Sequence, residues 1–356
     1  MPEPEFDQPL VPNFDVAINN TPLKATELAY ITNIRIDTAV DLPGMFTIEL
    51  SGADTLGEPL PWVDDSRFNI GQAVEIKLGY GDKQEKLIAG EIAGLEPEFA
   101  FDRLPSLTVR GYDRLHRLLR GRKTRTFVKQ KDSAIASQIA QGAGLTAQAT
   151  DSVLTHEYVV QANQTDWEFL LARARRIQYE ILVEDKKMIF RPVANAQSAA
   201  LTLSFEKDLL EFYPRLVSLG QVDEVAVRGW SVKDKKEIVG KAKTGDEASK
   251  MGGQQSGGAI AKKAFSAASD VIDASPAMIQ AEADQMAKAQ LNRAALGLIV
   301  GEGVCYGRTE LRAGKVIKME GVGARFGGLY YVTAAVHSYT PRDGYQTRFT
   351  VRRNAS

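Results

Sequence analysis

The sequence holds a single cysteine, Cys305, and only three histidines, His116, His156 and His337. One cysteine excludes an internal disulfide and fits a reducing compartment. Histidines this far apart give no HExxH-like ligand spacing, so no metal is expected. No apolar run approaches the ~20 residues that a membrane helix needs, so no membrane insertion is expected. The opening MPEPEFDQPL lacks a basic n-region and an apolar h-region, which predicts a chain without a signal peptide, soluble and made in the cytoplasm. The formal net charge is −1. That leaves no surplus of cations to neutralise phosphates and argues against specific nucleic-acid binding. There is no Walker sequence and no G-x-S-x-G elbow.

Apolar residues make up 44% of the 356 positions, enough for two or three domains with real cores. Up to about Asp113 the pattern has period two. Phe46, Ile48 and Leu50 alternate with Thr47 and Glu49; Val74, Ile76, Leu78 and Tyr80 alternate with Glu75, Lys77 and Gly79. Such alternation predicts half-buried antiparallel strands. Pro43-Gly44, Gly81-Asp82 and Pro105-Ser106 read as the turns between them.

From Arg114 to Pro192 the texture is mixed. KDSAIASQIAQGAGL predicts a short helix capped by Ser133, with Ile135, Ile139 and Ala140 on one face and Gly142 or Gly144 as the stop. In NQTDWEFLLARARRIQYEI, Thr165 and Glu168 form a capping box. Trp167, Leu170, Leu171, Ala174 and Ile177 then recur at helical spacing, which makes them a core stripe before a ligand box. YEILVEDKKMIFRP reads as a hairpin turning at Glu184-Asp185-Lys186. Strands return between Leu201 and Val239. KTGDEASKMGGQQSGGAIAKK is poor in large apolar residues and reads as a mobile loop. A helix is predicted after it, with Ser275 as cap, Pro276 in the first position and Gly297 as the stop. LYYVTAAVHSY and YQTRFTVRR close the chain as strands.

The two ends repeat each other. GQAVEIKLGYG, from Gly71, resembles GKVIKMEGVG, from Gly314, and each leads to a similar string, LTVR at Leu107 and FTVR at Phe349. A repeat of this kind predicts a duplicated structural unit, here two similar β-barrels with helix-bearing segments inserted between them.

Candidate chemistry is sparse. His337 lies in a strand pattern and reads as a structural histidine. Cys305 reads as a small buried hydrophobe before a nucleophile. GVGARFGG near Gly321 has the wrong spacing for a phosphate loop, and a strand follows where a helix is needed. Glu91 and Glu96 are the one carboxylate pair considered as glycosidase-like. The basic string RLHRLLRGRKTR carries Arg114, Arg117 and Arg120 at three-residue spacing, then Arg122, Lys123 and Arg125. It reads as a solvated basic face between domains, or as a contact for an acidic partner. No catalytic, cofactor-binding or metal residue is assigned, no cofactor is expected, and the chain is read as not an enzyme.

The order of several segments carries a resemblance. DSAIASQIAQGAGL, YVVQANQTDWEFLLARA and ILVEDKKMIFRP are followed by AEADQMAKAQL, LRAGKVIKMEGVG, GLYYVTAAVHSY and GYQTRFTVRR. This series resembles the phage late control D protein family: the baseplate hub proteins of contractile tails and the hub region of the type VI secretion VgrG spike. The resemblance spans nearly the whole chain and is weakest before Asp15 and between Lys241 and Ser275.

It implies an α+β, mainly β fold with two related antiparallel β-barrels, an inserted small α/β module and a helical insertion. The boundaries expected are residues 1–113 for the first barrel and 114–200 for the module. Residues 201–240 with 298–356 would form the second barrel, and 241–297 the loop and helix inserted in it. The implied role is structural: a homotrimer whose six barrels join a hexameric tail tube to a trimeric spike. The spike would be a separate chain of OB and β-helix type, since no such segment follows the last strand here. Tape-measure and baseplate wedge proteins are further implied partners. The implied location is the baseplate of a virion or injection particle, assembled in the host cytoplasm. The alternative is a peptidoglycan-binding or cell-wall-degrading tail component.

Overall fold

The structure is a computed structural model that describes residues 11–52, 62–102, 104–205 and 207–356. The first ten residues, read above for a leader, lie outside the described residues. The N-terminal part contains β1 (Pro12–Ile18), β2 (Thr21–Pro22), α1 (Ala25–Leu28), β3 (Ile31–Ala39), β4 (Leu42–Ser51), β5 (Ala73–Tyr80), β6 (Lys83–Glu98) and β7 (Ser106–Asp113). Next come β8 (Lys123–Lys131), α2 (Asp132–Gly142), β9 (Thr146–Ala149), β10 (Thr155–Gln164), α3 (Asp166–Arg176), β11 (Tyr179–Glu184) and β12 (Lys187–Pro192). They are followed by β13 (Leu201–Ser204), β14 (Leu209–Leu216), β15 (Glu224–Ser231), β16 (Lys236–Lys243), α4 (Gly257–Phe265), β17 (Ser269–Ala277) and α5 (Gln280–Ala295). The chain closes with β18 (Ile299–Tyr306), β19 (Val316–Glu320), α6 (Gly323–Phe326), β20 (Gly328–Thr340) and β21 (Gly344–Arg353).

The chain is α+β and mainly β, as expected. Its largest sheet has 13 strands and runs β14-β18-β21-β20-β3-β4-β7-β6-β5-β1-β2, with β19 and β13 branching from β20. The path is open at both ends among the described residues, so the two expected barrels are seen as two halves of one sheet. Each half has its own core. Ile34, Ile36, Phe46, Ile48, Leu50, Ile76, Leu78 and Val109 fill the first. Leu209, Ile299, Cys305, Ile317, Tyr330, Val332, Phe349 and Val351 fill the second.

The halves correspond strand for strand: β3-β4-β7-β6-β5 matches β14-β18-β21-β20-β19. Backbone bonds fix the match. Gly71 N donates to Ile92 O at 2.8 Å and Ile92 N to Gln72 O at 2.9 Å; Gly314 N donates to Val332 O at 2.9 Å and Val332 N to Lys315 O at 2.8 Å. One residue later both strands bulge, between Ile92 and Gly94 and between Val332 and Ala334. A second shared bulge lies between Ile31 and Asn33 in β3 and between Leu209 and Glu211 in β14. Bulges re-aim a strand and are built features. This register places Val109 level with Phe349, so LTVR and FTVR lie on matching strands but two residues out of step. The outermost strands differ: β1 meets β5 antiparallel, whereas β13 meets β19 parallel.

The segment between the halves forms its own cluster. Trp167, Leu170 and Ala174 of α3 pack with Ile135, Ile139, Phe127, Ile181 and Phe190, so the helical stripe is core. The Thr165–Glu168 capping box is present. The hairpin β11–β12 turns at Asp185, whose φ is +55°.

Four local expectations are corrected. Pro43 and Gly44 lie within β4, and the turn falls at Val40–Asp41, where Asp41 takes a φ of +61°; aspartate tolerates that region because its short side chain bonds locally. Ser133 does not cap α2, which starts at Asp132; Ser133 N instead donates to the Ser152 hydroxyl oxygen at 3.0 Å. Ser275 and Pro276 belong to β17, and α5 starts at Gln280. The glycine- and lysine-rich stretch is not a bare loop: it holds the end of β16 and most of α4, with Met251 and Ala261 buried. β15, β16 and β17 form a three-stranded sheet under α5, with Val225, Val227, Ile238, Ala283, Ala287 and Leu291 as its core.

Candidate functional site

Burying alternate residues of the long sheet leaves the other face polar. Along one row Gln346, Ser338, Arg35, Thr47 and Arg110 lie on neighbouring strands, and along the next lie Arg348, Val336, Asp37, Met45 and Tyr112. Arg35 pairs with Asp37 at 2.6 Å, and Arg110 Nε with Glu96 at 3.0 Å. The face crosses from one half to the other without a break, because β20 pairs with β3 from Ala334–Ala39 to Tyr339–Ile34. A depression of about 200 Å³ on it is lined by Glu211, Tyr213, Glu302, Ala334, Arg348 and Thr350 among others. Mixed charges on a sheet face can bind another protein's polar surface.

Glu91 and Glu96 do not form an acid/base pair. Burial pushes Glu91 up, but the bond from Arg117, with His116 and Arg114, outweighs it and holds the carboxyl low. Arg110 holds exposed Glu96 low as well. A glycosidase acid needs one carboxyl raised. Cys305 is fully buried, its thiol 3.6 Å from Thr347 O, and burial pushes its ionisation far up, the opposite of an activated nucleophile. His116 sits 2.8 Å from Asp113 O, and His156 Nε2 lies 3.2 Å from Asp132. The three histidines stay apart, and no metal-binding cluster occurs among the described residues. GVGARFGG folds into the single-turn helix α6 and the start of β20.

Most of the basic string is spent on internal ion pairs. Arg114, on a 3-10 turn, reaches Asp185 at 2.5 Å, and Arg117 bonds Glu91. Arg122 meets Glu168 at 3.0 Å, while Lys123 and Arg125 both meet Asp166, at 2.7 and 2.6 Å. Arg114 and Arg117, through Glu91, tie the first half to the central segment, while the pairs of Arg122, Lys123 and Arg125 lie within that segment; Arg120, Arg122 and Lys123 remain exposed.

Two buried polar clusters were not legible in the sequence. Asp132, 1% exposed, accepts from Arg173 Nε at 2.6 Å and lies beside His156; next to it Glu282 of α5 accepts from Arg176 at 2.7 Å. Glu180, wholly buried, accepts from Tyr331 and from Arg191 at 2.7 Å. Both clusters join the central segment to later strands and helices. Each contains one link across more than a hundred residues, Arg176 to Glu282 and Tyr331 to Glu180, which no local pattern marks.

A cavity of about 230 Å³ lies where both halves meet β11, lined by Asp113, His337, Arg312, Lys86 and Asp185 among others. Burial pushes Asp113 up to about 7, against bonds from Gly44 N and Leu115 N. Burial, then Arg312, pushes His337 down to about 3; its Nδ1 lies 2.8 Å from Tyr345 Oη and 3.1 Å from Thr347 Oγ1. The signs oppose. His337, lowered below its unfolded value of about 6.5, favours the fold above that pH and loses its contribution as pH falls toward 3. Asp113, raised, favours the fold at low pH and loses its contribution as pH rises from about 4 to 7. Between pH 4 and 6.5 the two offset each other. Subtracting the unfolding free energy of His337→Asn from that of the native chain should therefore give a difference that grows with pH. The slope should reach up to about 1.4 kcal/mol per unit. Urea denaturation at pH 4.5, 5.5 and 6.5 measures it; a difference independent of pH would mean that His337 keeps an ordinary affinity for protons.

Solved structures of tail proteins share this fold. The 43 kDa tail protein of prophage MuSo2 from Shewanella oneidensis superposes with a TM-score of 0.71 at 12% identity, over 96% of this chain and 98% of that one. A tail protein from Neisseria meningitidis MC58 gives 0.69 at 11%, over 96% and 97%. A component of the E. coli type VI secretion system, described as structurally similar to the T4 bacteriophage tail proteins gp27 and gp5, gives 0.57 at 12%, over 92% and 74%. At these identities the likeness is one of fold. The chain belongs to the family described as the Alg8 N-terminal domain, whose model matches residues 9–341. No curated protein matches the sequence. No helix among the described residues is long and apolar enough to cross a membrane.

Proposed function

We propose that the chain is a structural, non-enzymatic hub protein of a contractile tail or a related injection particle. Three copies form a ring that presents six near-equivalent sheet units, adapting a sixfold tube to a threefold spike carried by a separate chain. The observation that carries this reading is the residue-by-residue match of the two halves, down to both bulges. A duplicated unit lets a threefold object offer sixfold contacts. The fold shared with tail proteins and with a type VI secretion component supports the same reading. The absence of a raised carboxyl at Glu91 or Glu96 favours it over a cell-wall-degrading role for that pair.

Native mass spectrometry across a concentration series, with and without the spike, tests it. A species at three times 39.0 kDa is expected. A monomer under every condition, spike included, would overturn the reading. Removing β19 to β21 takes away the partner of β3 and should abolish the ring; particles of normal form built on that truncated chain would also count against it.

A further inference from the structure

Within each chain the halves are joined by one seam, β20 against β3. Because the halves match, each has a second edge of the same kind. The counterpart of β3 is β14, which ends the sheet with β18 as its only strand neighbour among the described residues. The counterpart of the end of β20 is the end of β6. Beyond Ile92 that strand pairs with β7 on one side, and no described strand pairs with its other side. Both edges carry exposed apolar side chains: Tyr213, Leu216 and Leu219 at one, Phe99 and Phe101 at the other. Phe99 is level with Tyr339, which packs against the ring of Phe14 at 4.7 Å. Two unpaired edges that match the two sides of an existing seam are complementary to each other.

We propose that a second copy of this chain docks its β14 edge against this β6 edge, in the register that β20 and β3 hold inside each chain. This rests on the ring reading and states how the ring closes. The register sets Leu95 opposite Leu216, Glu96 opposite Arg215 and Phe99 opposite Phe212. Arg215 has no acidic partner among the described residues, and the exposed Glu96 carboxylate, bonded within its own chain to Arg110, faces it. The register also sets Pro97 opposite Pro214. Val217 N donates to Leu298 O, so Arg215 and Tyr213 turn their main-chain groups to β18 and Pro214 turns outward. The bond from Gly52 N to Pro105 O gives the same alternation in the first half and turns Pro97 outward. At the matching place His337 and Ile36 face each other inside the chain. Two prolines there supply no N–H, so side chains hold the seam between copies and its centre lacks ladder bonds. Edge prolines also protect a lone chain from indiscriminate pairing. The contact is head-to-tail, and three such contacts close a ring.

The test uses the full chain with Glu96→Cys and Arg215→Cys together. These positions form a close, non-hydrogen-bonded pair in the proposed ladder, a spacing that admits a disulfide. Cys305 is buried and out of reach. Oxidation should give a covalent three-chain species, and neither single variant should. Arg215→Glu should weaken the assembly seen by native mass. Pro97→Val with Pro214→Val restores two donors and should lower the midpoint concentration of assembly roughly tenfold. A native trimer that neither cross-links nor responds to Arg215→Glu would overturn the seam and leave the ring. An unchanged midpoint in the proline variant would overturn the account of its weakness. A chain that stays monomeric and uncross-linked at every concentration, spike included, would overturn both the seam and the ring.

Discussion

Replacing Phe46 with alanine should destabilise the chain by about 3–5 kcal/mol, the range for truncating a buried aromatic ring. Phe46 has no exposed surface and lies on β4, facing Gly111 of β7 and Gly90 of β6. A methyl group at Gly111 would stand 2.2 Å from Phe46 Cζ, so the ring occupies the space that the missing side chain leaves. The second half uses the same device with the partners exchanged. Level with Phe46 stands Gly301 of β18, and the rings come from Phe212 and Phe349, over Gly301 and Gly303. A ring on glycine thus fills each core at the same height of the sheet. Urea denaturation of the full chain measures the loss. A change below about 1 kcal/mol would mean that the ring contributes no more than a surface side chain.

Arg173→Met should cost a comparable amount, about 3–5 kcal/mol, for a different reason. The change leaves Asp132 buried without its guanidinium partner, which supplies bonds at 2.6 and 3.0 Å. Burial pushes the Asp132 carboxyl up, while His156 and Arg173 outweigh it and hold it low. Without Arg173 the balance tips toward a raised carboxyl, and the variant should lose stability as pH rises from the unfolded value of about 4 to the pH at which the buried carboxyl ionises. Adding Asp132→Asn removes the stranded charge and should recover part of the loss. A double variant as unstable as the sum of the two single ones would show that the pair does not interact.

The sequence carried the strands well because one face of each is buried and the other is not. Phe46, Ile48 and Leu50, and Val74, Ile76 and Leu78, alternate in the structure as they do in the string. The Thr165–Glu168 box was legible because capping is a contact between near neighbours. Ser275 and Pro276 misled because a serine–proline step also suits a strand that ends before a helix, and α5 starts without a side-chain cap. The glycine-rich stretch hid α4 because a helix packed by small residues needs few large ones. The repeat was found on the right strands, yet matching strings slipped by two residues, since a shift of two keeps every side chain on its own face. As for the site, the polar positions of β3, β4 and β7 were visible, but the joint between β20 and β3 was not: its partners are almost three hundred residues apart, and hydrophobic patterns do not say which edges meet.

That joint has a consequence for synthesis. The long edge of β3 is made almost three hundred residues before its neighbour β20. Until then the first half emerges with an exposed, unpaired strand, and closing it requires a contact across most of the chain. Contacts so distant in sequence slow folding and lengthen exposure to wrong partners. The newborn chain thus spends its translation time with the edge that will hold its own two halves together still open to other chains.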